Sequence, residues 1–296
     1  MGVLKNQMCE IMRAQGYSEK TIKLYTCCVK CFSYHFMKSP LEITHKQIES
    51  FFLFLRQEQK SDSTIHIYYE SLKYFYSMHN IRNRLPHLSF THINSKLPEI
   101  LCQKEVFQLL ANCNSLKYRT IFTLIYSAGL RVSEAANLRL SDIDFERKQI
   151  FIRNGKNKKD RYTLLADETV RLIRNYLQIY NPNEYLFYAN DICKKISVDC
   201  IQKNFKALVH ESEIMKNIHV HTLRHCFATH LLENGTSIFY IMQLLGHANI
   251  QTTMIYLHMQ SLDKLNIQSP IDKCKENTNP NESIKGSQND FLLASA

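Results

Sequence analysis

Between Ile81 and Pro98 the regular recurrence of apolar residues stops, and this break constrains the possible folds more than any other feature of the chain. The interval holds Pro86 and Pro98, several His and Asn residues, and the basic Arg82, Arg84 and Lys96, which is the composition of a connection between folding units. A chain of 296 residues is long for one small domain and can bury a separate core on each side of the break.

Ahead of the break the spacing is helical. Ile22, Tyr25, Val29, Phe32 and Phe36 recur at three and four residues, so they share one face of a helix capped by Ser18 and ended by Pro40. Thr44 with Gln47 forms a capping box before Ile48, Phe51, Phe52 and Leu55, and Ser63 opens a third helix carrying Tyr68, Leu72, Phe75 and Met78. These segments predict a small helical bundle. Cys28, Cys31 and His35 resemble half a zinc site, but no second Cys/His pair completes four ligands, so they are assigned to helix packing.

Beyond the break, helices are expected around Lys104–Asn112, Leu116–Ala128 and Ser133–Leu138, with a turn at Gly129. Two short strands, Gln149–Arg153 and Tyr162–Leu165, flank the cationic loop Gly155-Lys156-Asn157-Lys158. Further helices follow at Asp167–Ile179, Val198–Glu211, Thr222–Glu233, Ser237–Leu245 and Ile250–Leu257, punctuated by Gly235 and Gly246. After Pro270 the chain is rich in Asn, Ser, Lys and Glu, and a disordered tail is expected.

Charge narrows the partners. The formal net charge is +10, divided as +6 up to Lys96, +5 from there to Ser261 and −1 in the tail. Such an excess suits a polyanion, although it also suits solvated helix faces. The ten cysteines form no framework and no apolar leader precedes them, which points to reduced thiols in the cytoplasm. The longest apolar stretch, around Ile121–Leu130, is well short of the roughly 20 residues of a membrane span.

Three blocks carry potential chemistry. In His221-Thr222-Leu223-Arg224-His225, the imidazole of His221 and the guanidinium of Arg224 stand three apart on a helix, a pairing that suits a phosphate. Gly129-Leu130-Arg131 puts an arginine at a helix entrance, with Glu134 one turn on to hold it. Leu244-Leu245-Gly246-His247 precedes Tyr256 by nine residues. Each block alone also fits an ordinary surface pair or a core tyrosine.

In combination they are more specific. The runs GLRVSEAANLRLSDID (129–144), GKNKKDR (155–161), HTLRHCFATHLLENG (221–235) and LLGHANIQTTMIY (244–256) resemble, in order and spacing, the tyrosine recombinase or phage integrase family, especially its Xer-like and mobile-element members. The resemblance implies a mainly α fold. A helical core-binding (SAM-like) domain over 1–84 and a linker over 85–97 would precede a mixed α+β catalytic domain with a small antiparallel sheet over 98–269, and a tail over 270–296 would follow. It makes Tyr256 the nucleophile, Arg131 and Arg224 the clamps on the scissile phosphate, and His221 the group that assists proton transfer from Tyr256. His247 would donate a hydrogen bond to the phosphate, Lys156 would protonate the departing 5′ oxygen, and Glu134 would support the site.

The implied partner is double-stranded DNA, bound by a homotetramer, or by two protomer types, on two sites. The implied chemistry needs no cofactor and no metal, because a phosphotyrosyl bond retains the energy of the broken diester. Cys226 and Leu257 stand where the family often has Ser or Thr, without removing a catalytic group. Two rival classes share parts of this pattern: a DNA-binding protein that never cuts, and a type IB topoisomerase-like enzyme that relaxes supercoils.

Overall fold

The computed structural model describes residues 2–88, 98–153 and 160–259. The chain divides into two compact units, Met1–Lys96 and Leu97–Ala296.

Among the described residues the first unit has four α-helices, α1 (Gly2–Ala14), α2 (Glu19–Phe36), α3 (His45–Gln57) and α4 (Asp62–Met78). Helix α1 was not expected from apolar periodicity; it contributes only Met8 and Met12 to the core, too sparse a stripe to stand out. Ser18 caps α2 by accepting from Thr21 N at 3.2 Å. That helix ends at Phe36, ahead of Pro40, because Met37 turns left-handed (φ 49°) and its N–H closes on the last carbonyls. The expected capping box of α3 is present, with Thr44 N donating to Gln47 Oε1 at 3.0 Å. Helix α4 starts two residues earlier than expected, since Ser61 rather than Ser63 receives the N–H of Thr64. Phe32, Phe51, Leu72 and Phe75 meet in the buried centre. Cys28 is buried while Cys31 is exposed, and His35 lies against Phe36, Phe51 and Phe54.

The second unit is wrapped around α6 (Leu116–Ala128), whose Ile121, Phe122, Leu124 and Ile125 are wholly buried. Around it lie α5 (Gln103–Ala111), α7 (Val132–Asn137), α8 (Asp167–Tyr180), α9 (Val198–His210), α10 (Val220–Glu233), α11 (Ile238–Leu245) and α12 (Gln251–Met254). The expected hairpin is part of a three-stranded antiparallel sheet, β1 (Ile143–Asp144), β2 (Gln149–Ile152) and β3 (Arg161–Leu164). Its register pairs Ile150 with Thr163 and Ile152 with Arg161. Because strand side chains alternate between faces, Arg161 and Thr163 share the inner face with Ile150 and Ile152. Thr163 Oγ1 fastens that face to α6 by donating to Ala128 O at 2.7 Å.

The helix expected over Ile250–Leu257 breaks into α12 and a tighter 3-10 turn, Ile255–His258. Among the described residues, no helix is long and apolar enough to cross a membrane. Lys156 and the tail after Pro270 lie outside the described residues.

Candidate active site

Two glycine-terminated helices shape the site. Gly129 ends α6 in the left-handed region (φ 64°), and a Cβ there would sit 2.4 Å from the ring of Phe227, so only glycine fits. The chain reverses, buries Leu130 and presents Arg131 as the N-terminal cap of α7. Gly246 ends α11 at the same φ, and its missing Cβ leaves room for the Arg161 side chain, which would otherwise be 2.8 Å away.

Arg224, on α10, is 1% exposed and is anchored at both helix ends. Its Nη1 donates to Gly129 O at 2.5 Å and its Nη2 to Leu245 O at 2.7 Å. Those carbonyls carry the negative ends of the α6 and α11 dipoles, which is why a cation is tolerated so deep. Burial and the nearby Arg131 lower its pKa to about 9, so the guanidinium still carries its charge at neutral pH.

Nη2 of Arg224 also reaches His247 Nε2 at 3.2 Å. A guanidinium can only donate, so Nε2 accepts and a neutral His247 carries its proton on Nδ1, 2.9 Å from Thr253 Oγ1.

Glu134 is the anionic centre. Its Oε1 accepts from Arg131 Nη1 (2.7 Å) and Arg161 Nη1 (2.8 Å); its Oε2 accepts from Arg131 N (2.7 Å) and Arg161 Nη2 (2.8 Å). Arg224 Nη1 stands 3.6 Å from the same carboxylate. Burial by itself pushes the carboxyl upward, but the bonds and charge of Arg161, the Arg131 amide and the Arg224 charge outweigh it and hold the pKa at about 2. The expected Arg131–Glu134 pairing is therefore present, with Arg161 as a second and bidentate partner.

Tyr256, on the 3-10 turn, is 2% exposed and packs among Phe227, Ile241 and Leu245. Its ring lies nearly parallel to that of His247, 12° apart with centroids at 6.4 Å. Burial raises its pKa, and the charges of Arg224 and Arg131 only partly offset this. In the free protein the cationic surroundings thus fall short of favouring phenolate.

The imidazole at the Tyr256 hydroxyl is that of His225, with Nδ1 at 3.2 Å. His221 lies behind it, the two rings meeting edge to face at 4.7 Å. Desolvation and then neighbouring charge lower the pKa of both histidines: His225 to about 4, which leaves it neutral at pH 7, and His221 in the same direction although its residue is exposed.

The structure thus gathers Arg131, Glu134, His221, Arg224, His247 and Tyr256 in one place. Sequence reasoning had assigned no role to Arg161 or His225. His225 stands four residues after His221 on the same helix stripe, and Arg161 shares the inner strand face with Thr163; those two periodicities were the available signals. Among the described residues, no group of three or more His, Cys, Asp or Glu side chains is arranged to hold a metal ion.

Comparison with known proteins gives the family of the chain. Residues 99–262 match the model of the phage integrase family, and residues 4–81 match the phage integrase N-terminal SAM-like domain. The chain belongs to the phage integrase family of tyrosine recombinases. It is 33% identical to a putative integrase/recombinase of Sinorhizobium fredii, over 92% of this chain and 89% of that one. It is 32% identical to a tyrosine recombinase of Thermosipho africanus, over 86% of this chain and 94% of the relative. The fold of this integrase-family chain also matches the crystal structure of the XerH site-specific recombinase bound to a palindromic difH substrate in a post-cleavage complex. That match has a TM-score of 0.69 and 21% identity, over 92% of this chain and 84% of the other.

Proposed function

We propose that this chain recombines DNA at specific sites with Tyr256 as its nucleophile. Membership in the tyrosine recombinase family makes it an enzyme that cleaves and rejoins DNA strands. The observation that carries the residue assignment is the convergence of Arg131, Arg224 and His247 beside Tyr256, from segments distant in sequence.

In this reading the Tyr256 oxygen attacks the phosphorus, the bond to the 5′ oxygen breaks, and a 3′-phosphotyrosyl link forms. The 5′ hydroxyl of another strand later reverses the step. Negative charge gathers on the non-bridging oxygens in the transition state, where Arg131 and Arg224 stabilise it most. Each charge-assisted hydrogen bond is worth about 1.5–3 kcal/mol, so the clamps supply part of the acceleration. His247 donates to the phosphate, which requires its Nε2 to give up the Arg224 bond and gain a proton. Lys156 protonates the departing oxygen, and Glu134 supports the arginines. The tyrosyl proton leaves through the imidazoles: His221 assists, and His225, already at the hydroxyl, is the first acceptor in reach.

The partner is double-stranded DNA, held by a core-binding domain over 1–84 and a catalytic domain over 98–269, joined by a linker over 85–97 and followed by a tail over 270–296. A homotetramer, or two protomer types, on two DNA sites would perform the exchange in the cytoplasm. A DNA-bound recombinase of the same fold supports this choice of partner.

The test is incubation of the full chain with a randomised pool of nicked suicide duplexes, followed by recovery of denaturant-resistant adducts and sequencing of their DNA. The expected result is an enriched site whose adduct disappears in Tyr256→Phe; no adduct with any duplex overturns the reading. Adding a second copy of the recovered site then separates strand exchange from simple relaxation.

A further inference from the structure

Arg161 uses all three of its guanidinium nitrogens within the site. Its side chain is 8% exposed and its two Nη atoms form a fork on Glu134, both at 2.8 Å. The third donor, Nε, reaches Leu244 O at 2.8 Å. Leu244 is followed by Leu245, whose carbonyl receives Arg224, then by Gly246, which leaves space for the Arg161 chain, and then by His247. One guanidinium therefore links strand β3, the carboxylate behind Arg131 and the end of α11.

The carboxylate's bonding capacity explains why this matters. A carboxylate accepts at about four positions, and those of Glu134 are shared evenly between Arg131 and Arg161. With Arg161 in place, Glu134 has no vacant position for Arg224, whose Nη1 waits at 3.6 Å and instead bonds Gly129 O. Without it, two positions open toward the nearest remaining cation, and the pull on Arg224 would draw it from Gly129 O and Leu245 O. The end of α11 would lose the Leu244 tie at the same time, and His247 would lose its placement.

We propose that Arg161 is a positioning residue that saturates Glu134, so that Arg131 and Arg224 keep their orientation for the phosphate, and that pins the Leu244–His247 segment. This rests on the recombinase reading above. Arg161 touches no reacting atom; it acts through Glu134 and Leu244.

The experiment compares the wild-type chain with Arg161→Gln, Arg161→Lys and Arg161→Ala on the duplex recovered with wild type, measuring adduct rate, DNA dissociation constant and thermal unfolding. Misplacement by about 1 Å costs on the order of 100-fold in rate, so Arg161→Gln is expected to form adduct about 100-fold more slowly with its dissociation constant unchanged. Arg161→Lys keeps the charge but cannot bond Glu134 and Leu244 together, and is expected to fold and remain slow. Guanidinium at non-denaturing concentration should restore part of the rate to Arg161→Ala and none to Tyr256→Phe.

Adduct rates of Arg161→Gln and Arg161→Lys equal to wild type overturn the proposal. So does a rate loss that guanidinium leaves untouched and that follows the loss of DNA affinity or of folded protein. Absence of adduct from wild type itself overturns the recombinase reading and the proposal with it, so the two failures are distinct.

Discussion

Nδ1 of His225 stands 3.2 Å from the hydroxyl of Tyr256, inside a pocket that keeps both groups uncharged. The contact holds a neutral phenol against a neutral imidazole, which can take its proton in the tautomer that leaves Nδ1 bare. Replacing His225 by Phe preserves a ring and removes the acceptor. General-base catalysis contributes on the order of 100-fold or more, so His225→Phe is expected to slow adduct formation by about that factor while DNA affinity holds. An unchanged single-turnover rate would exclude a proton-transfer role.

The same histidine gives the fold a pH dependence. Its pKa falls from 6.5 to about 4 on folding, so the unfolded chain takes up a proton first as pH drops. Its stabilising contribution is complete above pH 6.5 and is lost as pH falls from there through about 4, amounting to at most about 3 kcal/mol. Urea unfolding of wild type across this window should show stability falling more steeply than in His225→Phe; parallel slopes would contradict the assignment.

Glu134 sets a second, more acidic window. Its pKa drops from 4.5 to about 2, so its contribution is present above pH 4.5 and lost as pH falls through about 2. At pH 7 Glu134→Gln leaves Arg161 and Arg224 buried without their anion, a change of the kind that costs about 3–5 kcal/mol. Denaturant midpoints should show that loss, and double substitution with Arg161→Gln should cost less than the sum of the two singles. Strict additivity would mean the pair is not coupled.

Gly129→Ala tests the turn that offers a carbonyl to Arg224. The new Cβ would stand 2.4 Å from Phe227 at a φ of 64°, combining overpacking with backbone strain. Each of these costs about 1–3 kcal/mol. Thermal melting should fall accordingly, whereas Gly235→Ala, with nothing within 4 Å of its added Cβ, should show only the cost of its positive φ.

Cys226 is wholly buried and its thiol is pushed up to about 11 by desolvation. Maleimide is expected to label the exposed Cys27, Cys31, Cys102 and Cys193 in the native chain and to reach Cys226 only after unfolding. Rapid native labelling of Cys226 would show that the α10 core opens readily.

Periodicity and punctuation were enough to read most helices of both units to within a few residues, because an amphipathic stripe, a cap or a breaker acts locally. Leu116–Ala128 was read to the residue. Local signals failed where a helix contributes few apolar residues, as in α1, or where two serines compete for one cap, as at Ser61 and Ser63. The four ordered motifs likewise identified the family and brought Arg131, Glu134, His221, Arg224, His247 and Tyr256 into one hypothesis.

Which imidazole meets Tyr256, and which cation completes Glu134, were decided by packing between segments that have no sequence relation to each other. His225 reaches the hydroxyl because the 3-10 turn at Ile255–His258 reorients Tyr256 from the regular helix its neighbours suggested. Arg161 reaches Glu134 because the β2–β3 register sends it to the inner face, beside a glycine that leaves it room. Local physics writes the elements into the chain; hydrogen bonding among buried polar and charged groups, a property of the assembled core, chooses the partners.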